Sequence, residues 1–398
     1  GMKEKGINSE ATKRINRLLV LRLLCTSPGL SRTELTRQTG LAKMTVTNII
    51  ADLMVHRMVR ETKPVEKGKT GAGRKQMALR LSEEAPCVAG VWLSRDGCEG
   101  MVVTPELEEL AHGAFRFHTE ETADSILEKL MELCGTLIKK SGRRVAAIGI
   151  SAIGPLNIPA RIILNPPNFF GIRNFAVGER LSHRLALPVV LQNDMNAAAL
   201  AEKYYGLGRD IRNFAYVGIT NGIGAGVVLD DRLFEGTRGV AGELGHVIID
   251  SHGILCHCGN RGCLETFVSV PRIMERFSQQ FGHTFSGLEE ICRFSEVDET
   301  GHSLMNRICG EFATGLVSFC NLFDPQMVLI GHEGASLGDD QLHFIESEVN
   351  RRILGSAMGK ISLIRSSFGW KAPIYGAAVT ALKTIFDGDL LYDEMFSE

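Results

Sequence analysis

Cys256, Cys258 and Cys263 fall within eight positions, and His246 lies ten residues before the first of them. Zinc takes four nitrogen or sulfur ligands in a tetrahedron, and a Cys-x-Cys-x4-Cys loop wraps thiolates around one ion while a separate segment supplies an imidazole. Gly259 and Gly262 let such a loop turn tightly. A Cys3His set fills the tetrahedron and leaves no open position, which points to a structural ion. His252 and His257 are also near, so they remain alternatives to His246 as the fourth ligand. Glu243 stands three residues before His246 and Glu265 two after Cys263. Folding the loop brings both carboxylates toward one pocket, where they suit the hydroxyls of a polyol such as a sugar. The competing role for them is surface pairing with Arg238 and Arg261.

Two other stretches have chemical potential. In Gln192-Asn193-Asp194-Met195-Asn196 a strand gives way to a helix, a place from which Asp194 can project as a general base for a hydroxyl, or simply cap the helix. Asn221-Gly222-Ile223-Gly224-Ala225-Gly226 reads as a glycine-rich turn whose amides can cradle phosphate, or as a tight hairpin.

The elements that must position these groups begin after a different kind of segment. Residues 1–81 carry 17 Lys and Arg against 6 Asp and Glu, whereas the rest of the chain carries 27 against 40, although the whole has a net charge of only −2. A basic N-terminal fifth suits a polyanion. Helical spacing over Ala11–Cys25 ends at Ser27-Pro28-Gly29, Ser31-Arg32-Thr33-Glu34 forms a capping box for a second helix, and Gly40 turns the chain into a third. This is a helix-turn-helix. Lys43, Met44, Thr45, Thr47 and Asn48 are its candidates for the major groove. Strands expected at Met58–Thr62 and Gln76–Leu81 flank a basic, glycine-rich wing from Lys67 to Lys75, where Arg74 and Lys75 suit phosphates and the minor groove.

Beyond a hinge at Ser82–Pro86 the pattern turns α/β. Strands are expected at Val88–Leu93, Met101–Val103, Val145–Ile150, Val189–Gln192, Phe214–Ile219, Gly226–Leu229, Met327–Ile330 and Ile361–Ile364, with amphipathic helices between them. Strand hairpins followed by helices, twice over, imply two related lobes with a ligand cleft between. The 398 residues suffice for two or three domains, no apolar run approaches the roughly 20 residues needed to cross a bilayer, and the remaining cysteines are scattered in apolar settings. A cytoplasmic protein without stable membrane insertion is therefore expected.

Together GELGH at 242–246, CHCGNRGCLE at 256–265, QNDMNAAALAE at 192–202 and NGIGAG at 221–226 resemble the ROK family of repressors, open reading frames and sugar kinases. With the winged helix in front, the resemblance is to its NagC/Mlc/XylR-type transcriptional repressors. It implies a two-lobed α/β body of the actin-like, hexokinase-like (ribonuclease H-like) kind behind a mostly α winged helix-turn-helix. The implied domains are 10–82 for DNA binding, 86–193 with 375–398 for the first lobe, and 194–374 for the second, which carries the zinc loop. The resemblance also implies one zinc held by His246, Cys256, Cys258 and Cys263. Its implied sugar set is Asn193, Asp194, Glu243, His246 and Glu265, with Gly154 and Asn168 nearby. Asp194 matches the kinases' catalytic base.

The departures separate repressor from enzyme. Kinases of this family open their first lobe with an Asp-x-Gly-Gly-Thr turn for nucleotide phosphates, and here Trp92-Leu93-Ser94-Arg95-Asp96 stands in its place. Asn221 takes the usual threonine position of the second phosphate turn, and Gly331-His332-Glu333 replaces a glycine-rich adenosine turn. Phosphoryl transfer depends on positioned phosphates and metal. The expectation is a homodimeric or tetrameric repressor of carbohydrate genes that binds a palindromic operator and answers to a sugar or sugar phosphate, with Asp194 a vestigial base. The alternatives are an active ATP-dependent sugar kinase with a DNA-binding domain, or a repressor controlled by a phosphotransfer-system protein that docks on the tail Leu390–Phe396. That tail's other expected role is to end a helix packed on the first lobe.

Overall fold

The computed structural model describes residues 9–64 and 76–396. The expected wing loop, with Arg74 and Lys75, lies outside the described residues. Three helices open the chain: α1 (Ser9–Thr26), α2 (Arg32–Thr39) and α3 (Lys43–Val55). The capping box forms as expected, the Ser31 hydroxyl accepting from the Glu34 amide at 3.2 Å and the Glu34 carboxylate from the Ser31 amide at 2.8 Å. Gly40, in the left-handed conformation at φ 70°, ends α2 and sets the turn. Val46, Ile49, Ile50 and Leu53 bury one face of α3. Strands β1 (Val59–Thr62) and β2 (Ala78–Leu81) then pair antiparallel.

The first lobe holds β3 (Cys87–Leu93), β4 (Gly97–Val103), β5 (Glu109–Arg116), α4 (Ala123–Ser141), β6 (Val145–Ala152), a small hairpin of β7 (Leu156–Asn157) and β8 (Ile162–Ile163), α5 (Val177–Leu185) and β9 (Val189–Asn193). Its sheet runs β5-β4-β3-β6-β9, an antiparallel meander followed by parallel strands. After α6 (Asp194–Tyr205) come β10 (Phe214–Ile219), β11 (Ile223–Leu229), β12 (Arg232–Leu233), α7 (Glu265–Val268), α8 (Val270–Phe281), α9 (Leu288–Val297), α10 (Glu299–Phe323), β13 (Met327–His332), α11 (Asp339–Arg352) and β14 (Ser362–Arg365). The second sheet, β12-β11-β10-β13-β14, repeats the order of the first. This is the duplicated hairpin-then-helix pattern expected from sequence.

Two helices join the lobes. The chain returns as α12 (Ala372–Phe386), which packs on β3 and β6 of the first sheet and along α6, while α6 packs on β10 and β11 of the second. Small residues allow it: a Cβ at Gly376 would overlap the Ala197 backbone of α6.

Three expectations are corrected. Of the two readings of residues 221–226 the tight hairpin holds and the single phosphate-cradling turn does not: β10 and β11 pair antiparallel from Ile219 and Ile223, and within 221–226 only Asn221 and Gly222 bend. Gly226 is needed in the strand because a Cβ there would collide with the Met195 carbonyl of α6. Strand β5 and helices α5 and α9 were not expected; β5 is an edge strand with a largely half-exposed pattern, so alternation of apolar residues does not mark it. The third correction concerns the C-terminal tail. It forms α13 (Tyr392–Met395) and packs on α1 of the winged helix, not on the first lobe alone.

One apolar cluster therefore crosses from the winged helix into the body. It includes Leu35, Ile50, Leu53 and Leu81, then Val88 and Met101, then Ile374, Ala378, Leu382, Phe386, Met395 and Phe396. Arg14 stacks on Tyr392 at 4.0 Å, and Arg80 pairs with Glu106 of the β4–β5 turn, which also accepts from the Leu81 amide. Among the described residues no helix is long and apolar enough to cross a membrane.

Candidate effector and metal site

The site is built where β9 becomes α6. The Asn193 side chain caps α6, its oxygen accepting from the Met195 and Asn196 amides at 3.0 and 3.2 Å. Asp194 follows at the first helical position, only 4% exposed, and accepts from the Met195 amide at 3.0 Å. The helix dipole favours a carboxylate there. The cap role is thus taken by Asn193, and the Asp194 carboxylate is left to face a cavity of about 310 Å3 that Asn193, Glu243, His246 and Glu265 also line. Such a volume suits a small ligand.

Of the two residues expected nearby, Gly154 lines this cavity, whereas Asn168 lines a larger neighbouring one of about 1030 Å3. His257, Thr220 and Arg95 also line the smaller cavity. Sequence spacing had marked His257 only as an alternative metal ligand, and Arg95 only as a misfit in a phosphate turn.

Glu243 and Glu265 do not pair with Arg238 or Arg261 among the described residues. Burial pushes the Glu243 carboxyl above its ordinary range, and the Asp194 and Glu265 charges push the same way against the pull of His246. Three acids sharing one small cavity can accept several hydroxyls. Glu265 opens α7 and meets His257 Nδ1 at 3.1 Å and the Cys256 thiol at 3.3 Å.

The metal cluster forms around the same residues. His246 ends a short 3-10 turn, Leu244–His246, just after Gly242 redirects the chain at φ 85°. Single bridges pair Ile248 with Cys263 and Leu255 with Arg261, and Gly259 and Gly262 turn at φ 93° and 70°. One donor atom from each of His246, Cys256, Cys258 and Cys263 lies within 4.8 Å of the others. The Cys258–Cys263 sulfurs are 3.6 Å apart and Cys256 Sγ is 3.7 Å from His246 Nδ1. A tetrahedron of roughly 2.3 Å metal–sulfur bonds has edges of about 3.7 Å, so the four donors fit one metal ion. His252 is not among them, and His257 groups instead with His246 and Glu265.

Next to Asp194 the interior is aromatic. His332 Nδ1 is 2.7 Å from the Tyr216 hydroxyl, and its Nε2 is 3.8 Å from Asp194. Trp92 meets the other edge of His332. Glu333 accepts from the Thr220 hydroxyl at 2.9 Å.

On the winged helix Lys43, Met44 and Asn48 are exposed and Thr45 and Thr47 half-buried, with Met44 69% exposed despite its apolar side chain. Behind them Arg17, whose side chain is 7% exposed, bridges α3 to the tail. It donates to Asp52 at 3.0 Å and to the Tyr392 hydroxyl at 3.3 Å, and lies 5.0 Å from the Phe396 ring.

A winged helix-turn-helix fused to a duplicated α/β body, with an acid-lined cavity between the lobes, defines a DNA-binding domain joined to a sugar-kinase-like fold. The chain belongs to the ROK family, whose profile matches residues 88–384. It is 27% identical to a protein of Bacillus subtilis named xylose repressor, over 94% of this chain and 97% of that one. It is 26% identical to the DNA-binding transcriptional repressor Mlc of Escherichia coli, over 95% of each chain. A crystal structure of a ROK family transcriptional regulator, described as a homolog of the E. coli MLC protein, superposes with a TM-score of 0.80 at 28% identity, over 96% of this chain and 99% of that one. The ROK hexokinase of Thermus thermophilus superposes at 0.66 with 29% identity, over 76% of this chain and all of that one.

Proposed function

We propose that this chain is a sugar-responsive transcriptional repressor that binds its operator as a homodimer. The carrying observation is the cavity of Asn193, Asp194, Glu243, His246 and Glu265 joined by a continuous core to a winged helix. In this reading α3 enters the major groove with Lys43, Met44, Thr45, Thr47 and Asn48, and two copies match a palindromic site. The domains are taken as 10–82, 86–193 with 375–398, and 194–374.

The metal is zinc and its role structural, since three thiolates and one imidazole leave no coordination position for a reacting water. It holds His246 and Glu265 at the cavity wall. Kinase chemistry is absent in this reading. His332, with Trp92 packed on it, lies 3.8 Å from Asp194, which favours a base that only binds a hydroxyl.

Contacts run without a break from Asp194 at the start of α6, through α12, to the tail and Arg17 on α1, and so to Asp52 of α3. A ligand that prefers one arrangement of the lobes biases the recognition helix through this chain of packed elements. Fluorescence anisotropy on DNA fragments selected in vitro by the full-length protein, with and without a panel of hexoses, pentoses and hexosamines, tests the reading. A sugar that changes operator affinity, and no longer does so in Glu243→Ala, is the expected result. DNA binding insensitive to salt and competitor, or a chain that binds no selected fragment, sinks it.

A further inference from the structure

Behind Asp194 lies a histidine in a backbone conformation that its side chain disfavours. His332 ends β13 at φ 55° and ψ −142°, a region that glycine enters freely and a residue with a Cβ does not, and it is only 1% exposed. Strain of this kind persists where the surroundings hold the residue in place. Here they do. A Cβ at Gly218 of β10 would come 2.7 Å from His332 Nδ1, and a Cβ at Gly331 would overlap the Tyr216 hydroxyl, so two glycines make room for the pair. Trp92 packs edge to face with the imidazole.

The hydrogen bonds decide which ring nitrogen carries the proton. Burial pushes the Tyr216 phenol well above its ordinary value; the charges of Glu202 and Asp194 add to this, and the His332 backbone amide opposes it. The hydroxyl therefore keeps its proton and donates it to His332 Nδ1 at 2.7 Å. With Nδ1 accepting, the ring proton sits on Nε2. Nε2 is buried and has no hydrogen-bond partner among the described residues, and it lies 3.8 Å from Asp194 Oδ2, about 1 Å beyond a normal bond. The other carboxylate oxygen, Oδ1, already accepts from the Met195 amide at 3.0 Å. A buried donor without an acceptor is unfavourable, and a small shift of the Asp194 side chain supplies the acceptor.

We propose that His332 is a positioning residue for the ligand of the acid-lined cavity: on binding, its Nε2–H closes onto Asp194 Oδ2 and holds that carboxylate by both oxygens, with the remaining lone pairs turned to a ligand hydroxyl. The proposal rests on the sugar-binding reading above and adds to it a residue that does not line the cavity and so acts through Asp194.

Titration calorimetry on the full-length, metal-loaded protein tests it, with glucose, N-acetylglucosamine, their 6-phosphates and xylose as probes. His332→Gly suits the backbone of this position but lacks the donor, and should weaken the tightest-binding probe about tenfold, the worth of a hydrogen bond to a charged group. His332→Gln, which returns an N–H at comparable reach, should recover the affinity to within about threefold of the parent. Proton resonance spectra of protein with isotopically labelled histidine supply a readout that packing alone does not move. The Nε2–H signal, assigned by its loss in His332→Gly, should shift downfield when the probe is added, as the gap to the carboxylate closes. If His332→Gly binds as tightly as the parent, if His332→Gln recovers nothing, or if the Nε2–H signal stays where it was at saturation, the proposal is overturned and the sugar reading stands. If no probe binds the unaltered protein, both fall.

Discussion

Trp92 and His332 meet edge to face, with ring centroids 5.6 Å apart and planes at 87°, and they do so across the gap between the two sheets. Trp92 comes from β3 and His332 from β13, so the pair ties the first lobe to the second beside Asp194. Neither Trp92 Nε1 nor His332 Nε2 has a hydrogen-bond partner among the described residues, which makes the contact one of shape and ring electrostatics. Four predictions follow from this and three other relationships.

His332 of this pair lies 3.8 Å from Asp194, and under the proposed loss of kinase chemistry ATP with magnesium should leave the melting temperature unchanged and no sugar should provoke ADP release. Trp92→Ala should cost about 2 kcal/mol of stability without restoring turnover. A coupled assay that detects steady ADP production by the unaltered protein, lost in Asp194→Asn, would reverse the assignment.

Arg17 is a second bridge, from α3 to the tail. Arg17→Ala removes its pairing with Asp52, the bond to Tyr392 and the contact with Phe396, and should destabilise the protein by about 2–3 kcal/mol. Operator affinity should fall with it, and a chain ending at Leu390 should behave the same way. Unchanged melting and unchanged anisotropy curves in both would show the tail to be irrelevant to the DNA-binding domain.

The three candidate cysteine donors share the loop that leads into Glu265, and His246 joins them from a separate short turn. Elemental analysis should find a single zinc ion per chain, and a strong chelator should lower the melting temperature at neutral pH. Cys263→Ser, at a fully buried ligand, should lose zinc and sugar binding together. Full sugar affinity in a zinc-free protein would separate the two sites.

Glu121 supplies a pH dependence away from the site. Burial alone would raise its carboxyl, but hydrogen bonds from Lys129, Ser125 and the His118 amide outweigh it and hold the group at about 2, against an ordinary 4.5. A carboxyl depressed in the folded state adds stability above pH 4.5 and loses it as pH falls from 4.5 toward 2. Glu121→Gln should be less stable than the parent at pH 7 and show a flatter decline below pH 4.5. Parallel melting curves for both proteins from pH 7 to pH 3 would mean the carboxylate contributes nothing.

Much of this was legible in residue order. The capping box at Ser31–Glu34, the thiol spacing of Cys256, Cys258 and Cys263, and the charge step at the end of the winged helix are local patterns, because caps, metal knuckles and basic segments are made by residues close in sequence. The segment after Asn221 stayed open between a phosphate turn and a tight hairpin for a similarly local reason, and the hairpin is what forms. Glycines at 224 and 226 look like a turn until α6 is seen lying against them.

The sequence by itself determined the elements, their duplicated order, and which side chains carry donors and charge. Only tertiary structure decided which of these groups share a space: Arg95 with the acids of the cavity, Asp96 outside it, Trp92 against His332, and Tyr392 against α1. Those pairs are separated by tens to hundreds of residues, and what brings them together is the burial of two sheets and two bridging helices against one another. Burial of that kind depends on long-range packing, which no local spacing encodes.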